Sequence, residues 1–78
     1  MKALGYVEGQ IEGASAVVLS EVLIEVTPES LRELAQFFAH CSSEMERMGE
    51  AYDHIHFQDV CKAWDPAWPD VIAIRQRG

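Results

Sequence analysis

The residues with the most chemical reach lie in one run, Asp53-His54-Ile55-His56-Phe57-Gln58-Asp59, which holds two of the chain's three histidines. On a β-strand, where side chains alternate between faces, His54, His56 and Gln58 share one side and Ile55 and Phe57 the other. One face is then built to pack and the other to meet water, a metal ion or a partner. Two imidazoles aimed the same way can bind zinc if a carboxylate such as Asp53, Asp59 or Glu25 adds a third donor. The same pair also suits a pH-responsive regulator. A metal site needs a ligand count and geometry that spacing alone does not supply. The plainer reading is two half-exposed strand histidines with no cofactor. His40, the remaining imidazole, falls on a helix away from that face.

Nucleophilic catalysis requires a thiol or hydroxyl, a base to activate it and a third group to orient the base. Cys41 sits on the apolar stripe of a helix, where thiols pack and stay inert. Cys61 follows the histidine run, yet nothing in the sequence supplies an oxyanion hole. The chain therefore reads as a binding protein and not an enzyme. A second lead is Trp64-Asp65-Pro66-Ala67-Trp68-Pro69-Asp70, where prolines stiffen a loop that carries two tryptophans. Tryptophan is enriched at binding hot spots, so an exposed Trp64 beside Asp65 would make an acidic, aromatic anchor. The alternative is that at least one indole caps the core.

These residues must be positioned by few elements. Residues 2–12 form a weak strand candidate, because Gly5 and Gly9 lower β preference. A turn at residues 13–15 leads into a stronger strand, residues 16–26. Val22, Ile24 and Val26 there take the core side, with Glu21 and Glu25 opposite them beside Leu19 and Leu23. Thr27 and Pro28 open a helix that runs to Met48 and stops at Gly49. Its apolar stripe is Leu31, Leu34, Ala35, Phe38, Cys41 and Met45. The histidine strand, residues 53–60, follows. A loop, residues 61–69, and a last strand, residues 70–75, complete the chain, and residues 76–78 are expected to fray. The expected fold is α+β in the order β-β-α-β-β: a four-stranded antiparallel sheet with one long helix on one face. Its open face would carry Glu21, Glu25, His54, His56 and Gln58.

Length and charge narrow the function. The 78 residues, 49% of them apolar, make one domain spanning residues 1–78 with a thin core. Thirteen acidic residues against 6 Lys and Arg leave a net charge of -7. That sign argues against nucleic acid and anionic membranes, and it favours a basic partner. Two cysteines are too few for a disulfide scaffold. With no signal peptide or membrane-spanning run in view, a cytoplasmic location is expected.

The helix start Thr27-Pro28-Glu29-Ser30-Leu31-Arg32-Glu33-Leu34-Ala35-Gln36-Phe37-Phe38, the Glu44-Met45 pair, the Asp53–Asp59 run and the closing Trp68-Pro69-Asp70-Val71-Ile72-Ala73-Ile74 together resemble the immunity protein 32 family of bacterial polymorphic toxin systems. The resemblance spans residues 27–74. It implies a compact α+β protein that binds and neutralises a toxin, without catalysis or cofactor. The leading expectation is thus an acidic protein-binding module that occludes a basic toxin domain through His54, His56, Gln58, Glu21, Glu25, Trp64 and Asp65. Two alternatives stand beside it. One is a metal- or pH-responsive regulator built on His54, His56 and Asp59. The other is a homodimeric assembly module joined through a sheet edge or open face.

Overall fold

Helix α1, Pro28–Met48, organises the molecule, and both its ends are set by local chemistry. In this computed structural model, which describes residues 1–9, 13 and 15–77, Thr27 is the N-cap with extended backbone (φ -95°, ψ 166°). Its hydroxyl accepts from the Ser30 N–H at 3.1 Å, and the Ser30 hydroxyl oxygen accepts from the Thr27 N–H at 2.9 Å. Two otherwise orphaned amides are satisfied reciprocally, with Ser30 in the role that Glu or Gln usually fills. At the other end Gly49 takes φ 56°, a region that costs most side chains energy. The chain then tightens into a 3-10 turn, Gly49–Ala51.

The helix buries Leu34, Phe37 and Cys41. The sequence reading chose Phe38, and the structure corrects it: Phe38 is 48% exposed and Phe37 3%. Both positions sit at helical spacing from Leu34 and Cys41, so periodicity cannot separate them. What decides is Phe57, whose ring centroid lies 5.1 Å from that of Phe37. Phe57, Leu34, Phe37 and Cys41 form one buried cluster, Ile55, Cys61, Trp64, Trp68, Val71 and Ala73 pack against it, and Tyr52 is buried as well.

The single four-stranded sheet is not formed. Strand β1 (Ala3–Gly5) pairs antiparallel with β2 (Val17–Leu19), Leu4 opposite Val18. Strand β3 (His54–His56) pairs antiparallel with β4 (Ile72–Ile74), Ile55 opposite Ala73. These are two separate two-stranded sheets in an α+β fold. The histidine strand is short because the chain turns into helix α2, Phe57–Val60, directly after His56. At that corner the Phe57 N–H donates to Val71 O at 2.8 Å and the Gln58 N–H to Asp70 Oδ1 at 3.0 Å. The Asp70 carboxylate in effect caps the turn.

The second strand is also far shorter than its apolar run suggests. The β1–β2 register carries residues 21–26 past the end of β1, and they adopt neither strand nor helix. Val22, Ile24 and Val26, assigned to the core from sequence, are 53%, 51% and 42% exposed. No described residue before the helix is among the buried core residues or the partly buried hydrophobics packed against them. Of the residues expected to fray, Gly78 lies outside the described residues and Arg77 is tied to the fold, as is Arg75 before it. Arg75 donates to Met45 O at 2.6 Å, and Arg77 to Tyr52 O at 2.9 Å.

Candidate protein-binding surface

The histidine pair is held at its edges by carboxylates. Nδ1 of His54 lies 2.6 Å from Asp53 Oδ2, and Nδ1 of His56 lies 2.6 Å from Asp70 Oδ2. The two rings meet edge to face with centroids 5.1 Å apart. Burial alone would raise the Asp70 carboxyl, but hydrogen bonds from His56 and the Gln58 N–H outweigh it and hold the group below its ordinary range. Gln58 and Asp59 lie on α2 and not on the strand, so the expected row of His54, His56 and Gln58 on one strand face is broken after His56. No group of three or more His, Cys, Asp or Glu among the described residues is arranged to hold a metal ion.

The thiols are packed. Burial pushes the Cys41 thiol up, with a hydrogen bond to Tyr52 opposing. Burial also raises Cys61, and the Glu33 carboxylate adds to it, with the Cys61 thiol 3.4 Å from Glu33 Oε2. Both environments favour the thiol over the thiolate that nucleophilic chemistry needs. Cys61 and Glu33 line a recess of about 210 Å3 together with Gln36, Phe37, His40 and Val60.

Both tryptophans are half-buried and pack against the core, so each serves as a wall of it. Trp68 stacks on Phe57, centroids 6.1 Å apart and planes 12° from parallel. The Trp64 indole N–H is enclosed without a partner among the described residues. Asp65 spends part of its acceptor capacity on its own loop, where the Ala67 N–H donates to it at 2.8 Å.

Most of the exposed large apolar residues lie instead in the N-terminal third. Leu23 is 85% exposed, Val18 69% and Leu4 45%. Glu21 and Glu25 flank Leu23, and all three are exposed. An open groove of about 620 Å3 runs beside this segment, lined by Ile24, Glu25, Val26, Thr27, Ser30 and Trp68. On the helix, Leu31 and Phe38 are about half exposed as well. Exposed apolar patches rimmed by polar residues mark interaction surfaces for proteins, membranes or ligands. Sequence reasoning placed Glu21 and Glu25 there but gave Val22, Ile24 and Val26 to the core. Leu23, placed from sequence on the same side as the two glutamates, is the most exposed apolar residue of the segment.

No helix of the described residues is long and apolar enough to cross a membrane. A protein-family model described as Immunity protein 32 matches residues 21–71, well over half of the chain. The match takes in the exposed segment, the whole of α1, the histidine strand and the tryptophan loop. No curated protein and no solved structure matches significantly.

Proposed function

The chain belongs to the immunity protein 32 family, and from that premise we propose that it neutralises a toxin by covering the toxin's working surface. The observation that carries the reading is the exposed Leu23 between Glu21 and Glu25, inside the family-matched residues. Occlusion needs a surface that gains from leaving water. Apolar side chains supply that gain at about 25 cal/mol per Å2. The net charge of -7 suits a basic toxin, such as a nuclease whose substrate phosphates select for Lys and Arg. Surfaces of opposite sign attract each other over distance and raise the encounter rate. Glu21 and Glu25 are the central contacts in this reading. His54, His56, Gln58, Trp64 and Asp65 are further proposed contacts.

Co-expression with the product of the adjacent gene, followed by size-exclusion chromatography, tests the reading. A stoichiometric complex with a basic domain is expected. Glu21→Lys with Glu25→Lys should slow association at low salt, and an unchanged on-rate would remove electrostatic steering from the account.

A further inference from the structure

We infer that residues 21–26 are a docking strand, which a cationic edge strand of the partner protein completes by backbone pairing. The inference rests on the immunity reading only in taking the toxin as the natural owner of that strand.

The sequence of this segment favours a strand. Val22, Ile24 and Val26 are β-branched, and such residues fit a pleated, half-buried surface best. The fold nevertheless leaves them out of any ladder. None of the backbone groups of residues 21–26 has a backbone partner among the described residues. A run of unpaired amides and carbonyls beside apolar side chains is a template for another strand. The adjoining groove of about 620 Å3, lined by Ile24, Val26 and Trp68 among others, gives the side chains of an added strand somewhere to lie.

Charge selects the occupant. In a paired strand Glu21, Leu23 and Glu25 project from one face. A second copy aligned antiparallel about Leu23 would set Glu21 directly opposite Glu25 twice over, and like charges directly opposite are destabilising. Shifting that register sets a glutamate against an apolar residue instead. A heterologous strand with Lys or Arg opposite both glutamates, and apolar residues between, turns each clash into an attraction. The occupant is therefore a foreign strand of alternating basic and apolar residues.

The test uses the whole chain and a synthetic alternating Lys–Val peptide, with a Glu–Val peptide as control. Amide hydrogen exchange followed by NMR reads the result. At low salt the Lys–Val peptide should slow exchange at residues 21–26, and the Glu–Val peptide should not. Glu21→Lys with Glu25→Lys should weaken binding about tenfold, the order expected when two cross-strand pairs turn from attractive to repulsive. Ile24→Pro removes an N–H that has no backbone partner among the described residues, so the core should persist while binding is lost. Absence of protection, protection confined to other residues, or protection that grows with protein concentration in the absence of peptide would each overturn the inference, the last by pointing to a second copy. A toxin that is never neutralised would sink the immunity reading and leave the peptide result standing, so the two failures are distinguishable.

Discussion

His56 and Asp70 hold the corner between β3 and α2: Nδ1 of the imidazole lies 2.6 Å from one carboxylate oxygen, while the other oxygen accepts the Gln58 N–H at 3.0 Å. One side chain thereby ends a strand, starts a helical turn and fixes an imidazole. The Asp70 side chain is only 22% exposed, so these bonds are partly shielded from water.

Asp70→Asn should cost about 2 kcal/mol at neutral pH, the order of a hydrogen bond to a charged group. Because the folded carboxyl sits below its ordinary range, its contribution is full above that range and is lost as pH falls through it. Urea melts from pH 7 downward should show the wild-type advantage over the variant shrinking with acid. A gap that stayed constant would contradict the assignment.

The two adjacent phenylalanines should separate cleanly. Phe37→Ala empties a buried site against Phe57 and should cost about 3–5 kcal/mol, enough to unfold most of a small domain. Phe38→Ala, at a half-exposed position, should cost under about 1 kcal/mol. Chemical denaturation midpoints of the two variants give the comparison.

Tyr52 ties the turn after α1 to β4 by donating its hydroxyl proton to Ala73 O at 2.8 Å. Burial, then a hydrogen bond with Cys41, pushes its hydroxyl up to about 12. A folded value above that of the open chain gives stability that is complete below about pH 10 and lost as pH rises towards the folded value. Stability should therefore fall in that alkaline window, and Tyr52→Phe should flatten the fall while costing about 1 kcal/mol at pH 7.

Much of this was legible in the sequence, and the failures share a cause. Helix α1 was readable to the residue because Thr27, Pro28 and Gly49 act locally, through caps and backbone preference. The family was readable from residues 27–74, and the matched region is residues 21–71. Which of Phe37 and Phe38 points inward depends on Phe57, twenty residues further on, and helical spacing admits both. The four-stranded sheet failed at two places. Residues 21–26 carry strand-forming side chains, but whether a strand forms depends on a neighbour that the sequence does not name. The histidine run alternates like a strand through Gln58, but Asp70 and Val71 capture the amides of Gln58 and Phe57 and turn the chain. Of the expected surface residues, Glu21 and Glu25 do lie exposed, whereas Trp64 packs against the core.

The central claim is that this chain silences a toxin by binding it, and growth reads that most directly. Cells expressing the product of the adjacent gene should stop growing alone and recover when the wild-type chain is co-expressed. A Leu23→Lys variant, altered at a site 85% exposed, should fold normally and restore growth less well. Cells that fail to recover although the wild-type chain is present, folded and in excess would contradict the account.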